Sequence, residues 1–346
     1  MKPISKIRRD SRQGYTLIEL LVVSLISIIV IYAAIDFFNN QQKVFRQQAS
    51  QARNQANLRL GLYYIAHDLM NAGYTGGPFG VEGEMYRAEA TGSSSPVAAV
   101  KPVNFSTDPQ FSTLKLTNQA GQTIDGIEMW FNINTQPTSL SAISYVGTNT
   151  LAANTVTMFQ VTAPKCDMIL DSCTPFTGFA AGFIISKADG SGEYEPISSV
   201  DLSGKTITAA SALTDTYVVQ SVVAPVWRRV YYLRDINGTR WLVRRDYFAN
   251  NQFTDTKLAE GVADLQVTYD MIFRPSLGDP PQLTPEVDPD KPPAYLTPFN
   301  PKYIDSVNVS LVSAVHDIQS KKPLQTVMTR KVKIMNLGLH PKLRGY

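Results

Sequence analysis

One carboxylate stands where a charge is most costly. From Tyr15 to Ile35 every residue is apolar or small and polar, except Glu19. A run of roughly twenty such residues is long enough to cross a bilayer as a helix. An ionisable group inside such a helix is functional by default, and its partner has to be named. An amine on Tyr15, four residues earlier, would reach Glu19 on one helix face, within a chain or between neighbours.

The other residues with chemical potential are few. Cys166 and Cys173 bracket Cys-Asp-Met-Ile-Leu-Asp-Ser-Cys, too widely spaced for a Cys-x-x-Cys redox pair and without a nearby histidine for a metal site. In an oxidising compartment a pair this close forms one structural disulfide around a small loop. His67, His316 and His340 stand in unrelated contexts. There is no His-Glu-x-x-His, no Gly-x-Ser-x-Gly and no phosphate-binding Gly-Lys loop. The sequence therefore predicts no catalytic residues, no enzyme activity, no cofactor and no metal. Asp189, Ser191, Glu193 and Glu195 alternate around glycines like a calcium loop, but Val200 holds the twelfth position, where a ligand glutamate belongs. That segment reads as a solvated hairpin turn. Residues 279–290, broken by four prolines, read as a mobile polar excursion.

Gly14-Tyr15-Thr16-Leu17-Ile18-Glu19-Leu20-Leu21, behind a short basic leader, resembles the type III signal of type IV pilins and type II secretion pseudopilins. The resemblance implies that a prepilin peptidase cuts after Gly14 and methylates the new N-terminus on Tyr15. It also implies that Glu19 is an assembly contact. Tyr15 departs from the usual phenylalanine of the family. An ordinary signal anchor is the plain alternative. A cleaved secretory signal is disfavoured, since Tyr32-Ala33-Ala34 is the nearest approach to a small-x-small site.

The leader carries Lys2, Lys6, Arg8, Arg9 and Arg12 against Asp10, a net +4. Basic flanks stay in the cytoplasm, so the chain is expected in the inner membrane with its N-terminus inside and its bulk in the periplasm. Taking that +4 from the chain's +3 leaves the mature protein near −1, with no basic field for nucleic acid.

Beyond the span, Val44, Phe45, Ala49, Ala52, Ala56, Leu62, Ile65, Ala66 and Leu69 recur mostly at spacings of three and four. They predict an amphipathic helix that packs on a globular head. Gly61 marks a soft point, and Gly73 is placed to end the helix in the left-handed conformation. The expected organisation is a leader at 1–14, a transmembrane half-helix at 15–35, an amphipathic half at 36–72 and a head at 73–346. The helix would be about 85 Å long.

The head reads as antiparallel β, in one or two lobes. Ile127 to Ile133 alternates as a half-buried strand. Val226 to Leu233 and Thr239 to Asp246 flank Asn237-Gly238 as a hairpin, and Val262 to Phe273, Ile304 to Val315 and Met328 to Ile334 read as further strands. The fold class is α+β, with a long N-terminal helix packed on a large antiparallel β-rich domain, a type IV pilin-like layout.

Two further stretches narrow the resemblance. Arg59 to Tyr74 is similar to the end of the first helix in PilW-like minor pilins, relatives of the pseudopilin GspJ. Arg229-Val230-Tyr231-Tyr232-Leu233, Trp241 to Arg245, Leu258 to Val262 and Lys331 to Leu337 resemble their carboxyl-terminal half. The resemblance implies a low-abundance minor pilin that primes or caps a type IV pilus. Its partners would be the prepilin peptidase, other minor pilins, the major pilin and a tip adhesin. A head of about 270 residues has a radius of gyration near 18 Å, against about 13 Å for 100 residues, which favours the fibre end over the shaft. The alternatives are a minor pseudopilin of a type II secretion system and a membrane-anchored periplasmic binding protein or enzyme.

Overall fold

Thr16 starts the helix. In the computed structural model its backbone is extended, its hydroxyl accepts the Glu19 N–H at 3.3 Å, and its own N–H donates to Glu19 Oε2 at 3.5 Å, a capping box. From there α1 runs unbroken over Leu17–Asn71, 55 residues and about 80 Å. Ser24 and Ser27 donate their hydroxyls to the carbonyls of Leu21 and Val23 at 2.8 Å, so neither is left unsatisfied in apolar surroundings. The helix stops at Ala72. Gly73 takes φ 81°, as its position predicts, and its N–H donates to the Trp130 carbonyl at 2.9 Å. The structure describes residues 16–73, 99–103, 105, 115–118, 121, 123–132, 137–167, 172–187, 192–273, 282–293, 304–316 and 323–334.

Beyond α1, apart from two single-turn 3-10 helices at Thr157–Phe159 and Ala249–Asn251, the regular structure of the described residues is strand. In order these are β1 (Val100–Pro102), β2 (Ile127–Phe131), β3 (Thr138–Ser139), β4 (Thr150–Ala152), β5 (Gln160–Asp167), β6 (Ser172–Phe179), β7 (Gly182–Ser186) and β8 (Gly192–Asp201). There follow β9 (Thr206–Ala209), β10 (Val222–Ile236), β11 (Thr239–Tyr247), β12 (Phe253–Glu260), β13 (Val262–Phe273), β14 (Gln282–Val287), β15 (Ile304–His316) and β16 (Pro323–Lys333). The main sheet runs β1-β2-β10-β7-β8-β9-β4, with β3, β11 and β12 attached through β10. A second sheet runs β14-β13-β15-β16, and β5 with β6 forms a separate hairpin. The layout is α+β: one long apolar N-terminal helix, then a large antiparallel β-rich domain.

β10 is the spine of the head. Its first residues pair with β7 and β3, and its later ones with β2 and β11. Asn237 and Gly238 both have positive φ, 51° and 78°, which lets β10 turn tightly into β11 as the Asn-Gly pair predicts. A single buried cluster runs from Leu58, Leu62, Ile65 and Leu69 of α1 through Leu242, Leu265 and Leu311 into both sheets.

Four sequence expectations need correction. Full burial of α1 against the head begins only at Leu58, and Val44, Phe45, Ala49, Ala52 and Ala56 are exposed. At about 100° per residue Phe45, Ala49, Ala52 and Ala56 lie on a face other than that of Leu62, Ile65 and Leu69, so the sequence pattern merges two apolar stripes, while Val44 shares the Leu62 face but is exposed. Second, Gly61 is a close-packing point, not a soft one. A Cβ there would meet Leu242 Cδ2 at 2.8 Å and Leu311 Cδ1 at 2.9 Å. Third, β2 is buried on both faces: Lys101 and Arg228 pair with Glu128, and Tyr194 packs edge-on to Trp130 at 5.1 Å. Fourth, residues 279–290 are not a loop throughout. Gln282–Val287 forms β14, an edge strand that tolerates Pro285 because its N–H side needs no partner.

Candidate functional site

The head-facing stripe of α1 changes chemistry along its length. Gln47, Gln51 and Asn54 are half-buried, and then Leu58, Leu62, Ile65 and Leu69 are buried. Asn57 Nδ2 donates to the Glu260 carbonyl at 3.1 Å, and Arg53 meets the Glu260 carboxylate at 2.7 Å. The second contact is exposed and stabilises little. The firm attachment lies higher. Asp68 is buried among apolar neighbours, where it accepts from Arg229 Nη1 at 2.6 Å and from the Tyr231 hydroxyl. Arg229 also donates to Asp246 at 2.5 Å. Burial works against the guanidinium charge, but Asp246 and Asp68 outweigh it and hold Arg229 above its ordinary value. Burial first, then the Asp68 charge, keeps the Tyr231 phenol protonated.

The opposite face of α1 is exposed. Phe38, Phe45, Ala49, Ala52, Ala56, Leu60 and Tyr63 recur at spacings of seven, four, three, four, four and three, and all are exposed. They form a band of small and aromatic residues continuous with the apolar surface of Leu17 to Ile35. Among the described residues one helix, α1, is long and apolar enough to cross a membrane, and none of its apolar window is buried. A water-exposed helix of a soluble domain would carry polar residues on this face. No protein-family model, no curated protein and no solved structure matches the chain.

The residues singled out from the sequence fall in separate places. Gly14 and Tyr15 lie outside the described residues. Glu19 is exposed in the first turn of α1, where its carboxylate closes the capping box. Cys166 and Cys173 are opposite each other in the β5–β6 register, and Cys173 is disulfide-bonded. His67 is exposed with Nδ1 3.3 Å from Asp68. His340 and the acidic-loop residues Asp189 and Ser191 lie outside the described residues. Glu193 and Glu195 are not solvated: both are buried on β8, where Thr214 N–H and hydroxyl donate to Glu193. Glu195 has Oε2 buried without a hydrogen bond, and burial, with the Glu193 charge adding, pushes it up to about 7.

Asp68 and Arg229 were not singled out from the sequence, although a signal was there. A carboxylate between Ile65 and Leu69 on the buried stripe needs a cation, and Arg228-Arg229 interrupts an apolar strand between Trp227 and Val230.

Proposed function

We propose that this chain is a minor type IV pilin, a low-abundance subunit that primes or caps fibre assembly. In this reading a prepilin peptidase removes residues 1–14, Tyr15 becomes the methylated N-terminus, and α1 anchors the chain in the inner membrane with its head in the periplasm until it joins the fibre.

The observation that carries the reading is the outer face of α1. An anchor needs apolar surface only through the bilayer, about twenty residues. Here the apolar band continues to Tyr63, well past any membrane, on the side turned away from the head. Small residues at Ala49, Ala52 and Ala56 allow another helix to approach closely, and Phe45 and Tyr63 bracket them. A helix built this way suits a bundle in which lipid and neighbouring helices successively cover one continuous surface.

The fibre-end position has support from the head. The bridge between Ser144 and Tyr217 gathers Ile143, Tyr145, Val146, Val218 and Val219, all exposed. An exposed apolar patch fits docking of other minor pilins or a tip adhesin.

The test replaces Ala49 and Ala56 with Glu in the full chain. The variant should melt as the parent does, because neither residue touches the head, yet it should fail to restore fibres to a strain lacking this protein. Normal piliation by a variant recovered in sheared fibres would overturn the proposal. So would a mature protein that retains Met1 to Gly14, or a copy number near that of the major subunit.

A further inference from the structure

Between the residues that lead into β2, Val267 and Tyr269 of β13, and the turn after β14 lies a cavity of about 200 Å³. Its walls are about equally polar and apolar: Val103, Phe105, Tyr269 and Pro289 contribute hydrocarbon, and two carboxylates line it, Asp125 and Asp290. Asp290 is exposed at the rim. Asp125 is half-buried and fixed twice to β13, through its own N–H to the Leu265 carbonyl at 3.1 Å and through the Val267 N–H to its Oδ2 at 2.8 Å. Burial pushes Asp125 up to about 7. The Val267 N–H opposes that shift, while the charges of Asp288, Asp290 and Asp264 add to it. The groups that face Asp125 from the neighbouring elements are therefore acidic: Asp264 and the Tyr269 phenol from β13, and Asp288 and Asp290 from the turn. Nothing in the assembly role uses this site.

A cavity that sets hydrocarbon from Val103, Phe105 and Pro289 beside an inner carboxylate, with a second carboxylate at its rim, suits a cation that brings its own apolar stem. A metal ion would need more oxygen ligands. Among the described residues no group of three or more His, Cys, Asp and Glu side chains is placed to hold one. A guanidinium would need a fork of acceptors, and Asp125 already spends one oxygen on Val267. An ammonium is a compact point donor on a four-carbon stem, and at roughly 30 Å³ per water the cavity is as large as about seven waters. We propose that this cavity binds a primary alkylammonium group, presented by the lysine side chain of a partner polypeptide, with Asp125 as its inner counter-charge and Asp290 as its rim contact. The assignment does not depend on the pilin reading.

The probe is N-α-acetyl-lysine methylamide, titrated into the full chain in detergent micelles by calorimetry, with the norleucine analogue as its neutral counterpart. Saturable binding of the lysine probe and none of the norleucine probe is the expected result. Affinity should be about tenfold higher at pH 8 than at pH 6, because the ionised fraction of a carboxyl titrating near 7 rises from about a tenth to about nine-tenths. Asp125→Asn keeps an acceptor for the Val267 N–H and should abolish binding. Should that variant misfold, Asp290→Asn at the exposed rim should still weaken binding severalfold. Equal binding of norleucine, affinity independent of pH, or full affinity in both variants would overturn the proposal. n-Butylamine binding tenfold more tightly than the capped lysine would overturn the polypeptide source.

Discussion

Arg229 donates from Nη1 to Oδ2 of Asp68 at 2.6 Å, which ties the last turns of α1 to the middle of β10. The pair is buried on both sides, with side-chain exposures of 11% and 7%. Removing one partner of a buried pair leaves the other charged and desolvated, at a cost of about 3–5 kcal/mol. Asp68→Ala should therefore lower stability by that order in urea unfolding. The double change Asp68→Asn with Arg229→Met should cost less than the two single changes added together. Additive single changes would mean that the ion pair contributes no coupling between helix and sheet.

Gly61 sets how closely α1 approaches the sheets. Ala is the better helix former by about 1 kcal/mol, so an exposed site would gain from the substitution. Here the new methyl would press on Leu242 and Leu311, both fully buried, and overpacking costs about 1–3 kcal/mol. Gly61→Ala should come out destabilising by about 1 kcal/mol, and Gly61→Leu by considerably more. A rise in melting temperature for the alanine variant would show that the interface has slack.

How far the sequence disclosed this arrangement depends on the range of the determining contacts. The β10–β11 hairpin and the bounds of β13 were legible because Asn237-Gly238 and the alternating runs act locally. A helix long and apolar enough to cross a membrane was legible from Leu17 to Ile35 alone. The two stripes of α1 were merged because Ala49 and Ala52 look equally suited to a core and to another helix, and only the head decides which face it covers. Glu193 and Glu195 look solvated beside glycines, yet the sheet closes over them and Thr214 satisfies one. Asp125 carries no local mark at all, since its cavity is assembled from β13 and a turn more than 140 residues away.

Glu195 gives the head a pH dependence of definite sign. Its folded-state value is raised from 4.5 to about 7, chiefly by burial. A group raised on folding contributes stability that is fully present below its unfolded value and is lost as pH rises through its folded value. The protein should therefore be less stable at pH 8 than at pH 6, by about 1 kcal/mol from this group. Asp125 adds in the same direction. Glu195→Gln should flatten that slope in thermal melts. A slope unchanged in the variant would assign the effect to Asp125 or to groups elsewhere.

Glu19 combines two roles that can be separated. Its carboxylate closes the capping box with Thr16, and in the proposed assembly it pairs with the α-amine on Tyr15 of its own or a neighbouring chain. Glu19→Gln keeps an acceptor for the cap and removes the charge, whereas Glu19→Ala removes both. Losing a charge from the span makes insertion easier, by up to about 2.5–3.5 kcal/mol for a central position. The head lies far from this residue, so both variants should insert and melt as the parent does. If charge pairing sets helix register, both should be depleted alike from sheared fibres, with the glutamine variant no better than the alanine one. Incorporation of Glu19→Gln at the parent level, with loss only in Glu19→Ala, would make Glu19 a helix cap and nothing more.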